Sequence, residues 1–142
     1  MTIDGAYKFI AAKNQDFANY AHTLWAVEEK STSSVMGFIG LQRHEHFAPY
    51  PEIGWRLGSQ FWGKGYATEG AKASLEYAWN VLQVPAVFAY TVAQNINSIR
   101  VMEKIGMHRD AQRDFNHSKL PLDHPLSRFV VYAVQWPDVL AD

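Results

Sequence analysis

Strand-period and helix-period segments alternate through the second half of the chain, which predicts an α/β fold with a mixed sheet and flanking helices. Three observations carry that prediction. Two apolar strand-like runs within residues 23–42 are separated by the turn STSS, an amphipathic helix pattern starts near Tyr66, and a short apolar run at 86–93 follows it. A strand, a helix and a strand in succession imply a parallel step, here between 52–57 and 86–93.

The elements follow in order. Residues 5–19 carry a weak helical pattern. TLWAVEE (23–29) and VMGFIGLQ (35–42) form a hairpin pattern, and RHEHFAPYP (43–51) is a loop by its prolines. EIGWRL (52–57) alternates, with Ile53, Trp55 and Leu57 on one face and Glu52, Gly54 and Arg56 on the other. Ala71, Leu75, Ala78 and Leu82 recur at i, i+4, i+7 and i+11, one stripe of a helix that ends before Pro85. AVFAYTVA (86–93) is short and β-rich enough for a buried strand. Asn95 or Asn97 caps a second helix that runs through Ile105, and Gly106 stands where a left-handed residue closes it. RFVVYAVQW (128–136) is the last strand, reached through the loop NHSKLPLDHPLS.

Composition narrows the function classes. The 142 residues contain no repeat or long linker and read as a single domain spanning 1–142. Thirteen Lys+Arg against fourteen Asp+Glu leave a formal charge of -1, so no broad basic field recruits nucleic acid. The absence of cysteine removes disulfides, thiolate metal sites and Cys nucleophiles, and it fits a reducing cytoplasm. The N-terminus lacks the long apolar core of a signal peptide, and no run approaches the roughly 20 apolar residues of a membrane span. A cytoplasmic protein without membrane or nucleic-acid partners is expected.

The stretch with chemical content is Gln60-Phe-Trp-Gly63-Lys-Gly65-Tyr-Ala67-Thr-Glu-Gly70, a strand-to-helix turn with two glycines. A helix start leaves amides without partners and carries partial positive charge, and glycine lets backbone approach a phosphate closely. Two familiar phosphate loops fail on named residues. A P-loop needs Ser or Thr after its lysine, but Lys64 precedes Gly65; the dinucleotide fingerprint needs a third glycine where Thr68 stands. A glycine turn that only permits tight packing is the alternative for the loop taken alone.

The surrounding motifs extend the pattern. An EIGWRL strand precedes Q-x-x-G-x-G-x-A, and Asn95-x-x-Ser98-x-Arg100-Val-Met-Glu-Lys104-Ile-Gly106 follows. Together they resemble the GNAT acyltransferase superfamily, specifically its RimJ/RimL-like branch, over residues from about Leu24 to Trp136. The resemblance implies a central mixed sheet with splayed parallel strands, and acetyl-CoA as acyl donor. Its pyrophosphate would lie on the amides of residues 61–68 (Phe61, Trp62, Gly63, Lys64, Gly65, Tyr66, Ala67 and Thr68), beside Gln60. Its pantetheine would lie along Trp55, Arg56 and Leu57.

Attack of an amine on a thioester requires a base for the ammonium proton and a proton for the departing thiolate. Glu52 is the candidate base; the alternatives for it are an ion pair with Arg56 or a solvated edge carboxylate. Glu69 is a second acid, or simply a favourable charge in the first turn of its helix. Many GNAT members place a thiolate-protonating tyrosine seven residues after the helix asparagine, where this chain has Met102. The resemblance to the RimL-like branch transfers that role to Ser98, which otherwise hydrogen-bonds the helix start. Asn95 either binds pantetheine or is a plain N-cap, and Arg100 and Lys104 face either phosphates or solvent.

His44-Glu45-His46 lacks helical zinc spacing, so no metal is expected, and either histidine could line an acceptor pocket. Trp25, Trp55 and Trp79 fit core or strand positions, whereas Phe47, Tyr50, Phe61 and Trp62 stand near loops that would bound a cleft; core packing is the expectation for most of them. RimJ/RimL-like chains carry a further strand and helix ahead of the matched segment. The resemblance therefore implies a sheet edge covered by residues 1–20 or by a second subunit, hence a homodimer.

The function expected is acetyl-CoA-dependent N-acetyl transfer to a primary amine, on a small molecule or a peptide N-terminus. A non-catalytic CoA-binding module of the same fold is the first alternative, and a nucleotide-phosphate binder is the second.

Overall fold

Thr2 opens the first helix: its Oγ1 accepts from the Gly5 amide at 2.9 Å, and α1 runs Ile3–Tyr20 before Ala21 turns left-handed. The structure is a computed structural model that describes residues 2–136. Of these, residues 2–42 together with Ile53–Leu82 form one unit, and Arg43–Glu52 with residues 83–136 forms the other.

In the first unit, β1 (Leu24–Glu29) and β2 (Ser34–Gln42) make the expected antiparallel hairpin, with Ser33 at φ 59° in the turn. Strand β3 (Glu52–Leu57) lies next to β2, and the Gly58 amide reaches the Met36 carbonyl at 2.9 Å. Helix α1 lies on the hairpin through Phe9 against Phe38 (5.3 Å between ring centroids) and Phe17 against Trp25 (6.4 Å). Thr23 Oγ1 donates to the Lys13 carbonyl at 2.8 Å.

Helix α2 (Tyr66–Tyr77) buries Ala71 and Leu75 of the expected stripe, and Ser74 beside them. It continues into a π turn over Ala78–Leu82, where the wider i→i+5 bonding shifts the helical phase. Ala78 and Trp79 are buried there, while Leu82 stays partly exposed. A regular 3.6-residue period cannot register that shift.

In the second unit, β4 (Ala86–Val92) pairs antiparallel with β7 (Arg128–Gln135), from Ala86 opposite Gln135 to Val92 opposite Phe129. Helix α3 (Ile96–Lys104) follows β4, and the two-residue strands β5 (His108–Arg109) and β6 (Phe115–Asn116) both pair antiparallel with β7. Glu52, the first residue of β3, is in parallel register with Phe88, and the Phe88 amide donates to the Pro51 carbonyl at 3.1 Å. The expected parallel step is therefore present and the sheet is mixed.

Strands β5 and β6 are too short to leave a periodic signal, and a tertiary clamp holds them. Asp114 accepts from both terminal nitrogens of Arg109 and from the Val131 amide at 3.0 Å, with Arg128 at 4.0 Å. Hydrogen bonds from Arg109, with the guanidinium charge, hold the Asp114 carboxyl below its ordinary range.

Two of the aromatics that stand near loops are core residues, as expected for most of them. Phe47 is 2% exposed and stacks on Phe88 at 5.1 Å, and Phe61 is also buried. The prolines mark 43–51 as irregular backbone, but irregular backbone still delivers an apolar ring to a sheet face. Among the described residues, no helix is long and apolar enough to cross a membrane.

Candidate active site

The glycine turn of the first unit is built as an open curl of backbone. Gly63 has φ 75° and Gly65 has φ 82°, and Gly65 is the N-cap residue of α2. A Cβ added at either position would meet no protein atom within 4 Å, so these glycines border open space. Tight packing does not explain them.

The hydrogen bonds of the turn correct the expected donor set. The Phe61 amide donates to the Gly58 carbonyl at 2.9 Å and the Trp62 amide to Ser59 at 3.2 Å, closing a 3₁₀ turn over Ser59–Phe61. Glu69 is the next residue whose amide is bonded back, to Gly65 at 3.0 Å. The amides available to an anion are thus those of residues 63–68, not 61–68. The amides of Tyr66, Ala67 and Thr68 belong to the first helical turn, which leaves them without partners in the helix.

Two side chains brace the curl. Tyr66 donates its hydroxyl to Glu29 Oε2 at 2.6 Å, and Thr32 Oγ1 donates to Glu29 Oε1 at 2.8 Å. These bonds hold the Glu29 carboxyl below its usual range, with Lys64 contributing in the same direction, and the Tyr66 hydroxyl is pushed up in return. Glu29 closes β1, far from the motif in sequence, so only the tertiary fold assigns it to the loop. Trp62 donates its indole N–H to the Leu57 carbonyl at 2.8 Å and is otherwise 63% exposed. Trp55 and Leu57 are half-buried, while Arg56, Gln60 and Lys64 are exposed.

The second unit carries the candidate acid–base residues. Glu52 is 4% exposed, which overturns its reading as a solvated edge carboxylate. Partners in parallel register project to the same face, and residues two apart along a strand do so as well. Glu52 therefore shares a sheet face with Phe88 and Tyr90. Burial, and then the Glu52 charge, push the Tyr90 hydroxyl above its ordinary value, so this phenol stays protonated near neutral pH. Tyr90 was legible only as part of a buried strand; the register with Glu52 singles it out.

Asn95 is the N-cap of α3, with its Oδ1 accepting from the Ser98 amide at 3.3 Å and its Nδ2 donating to Thr91 Oγ1 at 3.0 Å. Ser98 is half-buried in the first turn of that helix. Met102 is 2% exposed and belongs to the core. Arg100, Lys104 and Glu69 are exposed.

The 43–51 loop brings rings together rather than ligands. His44 lies 4.9 Å from Tyr90 and 5.3 Å from His46, and His46 stacks on Phe115 at 3.9 Å. Burial, reinforced by His46, lowers the His44 basicity. Among the described residues, no group of three or more His, Cys, Asp or Glu side chains could hold a metal ion.

Comparison with known proteins agrees with this fold. The family model described as Acetyltransferase (GNAT) domain matches residues 1–108. An uncharacterized Bacillus subtilis protein, YkkB, is 41% identical over 91 residues, which are 63% of this chain and 52% of the relative. The chain thus spans about half the length of that curated relative. An acetyltransferase structure from Agrobacterium tumefaciens superposes with a TM-score of 0.73 at 25% identity, covering 95% of this chain and 73% of that one. A GNAT-family acetyltransferase structure from Bacillus anthracis gives 0.65 at 30% identity, covering 78% and 64%. With its mixed sheet, its open amide curl and a family match over most of its length, the chain belongs to the GNAT acetyltransferase family.

Proposed function

We propose that this chain is a single acetyltransferase domain of the RimJ/RimL-like branch that moves an acetyl group from acetyl-CoA to a primary amine. The observation that carries the reading is the curl at residues 63–68, where unpartnered amides and two glycines border open space. Those residues fit a diphosphate: the amides donate, the helix start adds partial positive charge, and Lys64 supplies a full one. Trp55, Arg56 and Leu57 would hold the pantetheine, with Gln60 and Trp62 at the turn.

Bound there, acetyl-CoA supplies the thioester whose C–S bond breaks as the amine nitrogen bonds to the acetyl carbon. The chain moves the protons. Glu52 takes the ammonium proton on a carboxylate oxygen, which leaves the nitrogen lone pair free to attack. Ser98 gives its Oγ proton to the departing sulfur and takes the second proton that the nitrogen sheds as the amide forms, and Asn95 fixes the turn that presents Ser98. Met102 cannot give a proton, so the serine carries that step.

The acceptor is a small molecule or a peptide N-terminus, in a reducing cytoplasm that suits a chain without cysteine. A homodimer is supported by α1, where Ile3, Tyr7, Ile10 and Phe17 recur on one stripe and are 76%, 69%, 54% and 47% exposed.

The test is thiol release from acetyl-CoA with a panel of amines, run beside thermal shifts with CoA, ATP and NAD. Thiol release that depends on an amine supports the enzyme. A thermal shift with CoA and no thiol from any amine would leave a binding module, and a preference for ATP or NAD would reject the acyl-carrier reading.

A further inference from the structure

The turn of the first hairpin is joined to the glycine curl by side chains. Glu29, the last residue of β1, is held by that turn: its carbonyl accepts from the Thr32 amide at 3.3 Å and the Ser33 amide at 2.8 Å, and its Oε1 accepts from Thr32 Oγ1 at 2.8 Å. Thr32 Oγ1 accepts in turn from the Ser34 amide at 3.2 Å. The turn thus orients the carboxylate, whose other oxygen takes the Tyr66 hydroxyl at 2.6 Å. Tyr66 is the first residue of α2 and directly follows Gly65.

The curl needs such support. Gly63 and Gly65 have positive φ, border open space and carry no side chain that could pack. Glycine also loses the most conformational freedom when it is fixed, so an anion that had to order this stretch would bind more weakly by that entropy. A side-chain hydrogen bond to a β-strand stands on each flank of the pair: Trp62 Nε1 to the Leu57 carbonyl at 2.8 Å before it, and Tyr66 Oη to Glu29 after it. Charge acts in the opposite sense. The bonds from Tyr66 and Thr32 hold the Glu29 carboxyl below its ordinary range, with Lys64 adding to that, so Glu29 is an anion at neutral pH. An anion beside a diphosphate site repels its ligand, and by charge alone Glu29 is unfavourable there. What it contributes to binding is therefore the position of Tyr66.

Resting on the acetyl-CoA reading above, we propose that Glu29 is a positioning residue for the diphosphate: through Tyr66 it holds the curl at residues 63–68 in its binding shape before the ligand arrives. The STSS turn, through Thr32, belongs to the same device. The diphosphate then meets amides already aimed at it, and less of the binding energy is lost to ordering them.

The experiment measures CoA binding by isothermal titration calorimetry for the wild type, Glu29→Ala, Glu29→Gln, Tyr66→Phe and the double variant Glu29→Ala/Tyr66→Phe. Thermal melting verifies that each variant is folded. Glutamine keeps an acceptor for the Tyr66 hydroxyl while removing the charge, so it separates the bond from the field. The expected result is a CoA Kd raised about tenfold in Glu29→Ala and in Tyr66→Phe, a Kd at or below the wild-type value in Glu29→Gln, and no further loss in the double variant. An unchanged or lower Kd in Glu29→Ala or Tyr66→Phe overturns the proposal and leaves the diphosphate site standing. So do additive losses in the double variant, or a glutamine variant as weak as the alanine one. If the wild type binds no CoA, the acetyl-CoA reading fails, and inorganic pyrophosphate decides the rest. Pyrophosphate binding weakened about tenfold by Glu29→Ala supports the positioning role, whereas equal binding or none overturns it.

Discussion

Replacing Gly65 by alanine separates the cost of backbone strain from the cost to a bound diphosphate. Gly65 has φ 82°, and a Cβ there meets no protein atom within 4 Å, so the fold itself feels only the left-handed backbone. That conformation costs an L-residue about 1–2 kcal/mol, and the stiffer unfolded chain returns about 0.4–1 kcal/mol, which leaves a net loss of about 1 kcal/mol. For a chain of this size the melting temperature should fall by about 2–4 °C. Gly106, with φ 93° and the same open surroundings, is a matched control outside the loop, and Gly106→Ala should lose a similar amount. The ligand separates the two. A methyl in the curl displaces the diphosphate from one amide, and a hydrogen bond to a charged partner is worth about 1.5–3 kcal/mol, so the CoA Kd should rise about 10- to 100-fold. Isothermal titration calorimetry with CoA, beside thermal melts of both variants, reads both quantities. Gly65→Ala with the expected melting loss and an unchanged CoA Kd would refute the placement of the diphosphate in this turn.

Three other outcomes are expected. Glu52→Gln should lower kcat/KM most below the pKa of the acceptor amine, with the deficit shrinking as the amine deprotonates by itself at high pH; a pH–rate profile parallel to the wild type removes Glu52 from proton transfer. Ser98→Ala should depress kcat with little change in CoA affinity, and a raised Kd at constant kcat would make Ser98 a binding residue. Asp114→Asn should destabilise the fold by about 1–3 kcal/mol near neutral pH, because the Val131 amide and Arg109 lose a charged acceptor. Since the folded state depresses the Asp114 pKa, its contribution is complete above the ordinary carboxylate pKa of about 4 and is lost as pH falls through the lower folded value. The gap between variant and wild type in urea melts should therefore narrow in acid, and a gap independent of pH would show that the ion pair contributes nothing.

The amide curl was legible because every part of it is local. Gly63 and Gly65 stand two residues apart directly before an amphipathic helix, and the backbone donors come with any helix start. The exact donor set was not, since the 3₁₀ turn that consumes the Phe61 and Trp62 amides leaves no side-chain pattern. Glu29 escaped for a different reason: its hydrogen bond to Tyr66 joins positions 37 apart, and nothing in a single chain marks such pairs.

By itself, then, the sequence determined the hairpin, the parallel step at β3, the two helices after it and the glycine turn between β3 and α2, because periodicity, caps and turn residues act over a few neighbours. Only the tertiary structure decided that Glu52 is buried, that Phe47 is core, that two-residue strands form around Asp114, and that Tyr90, Phe115 and Phe129 gather on the face of Glu52. Those outcomes depend on cross-strand register. Register emerges from which apolar faces bury best together, so it is a property of the whole sheet and not of any one segment.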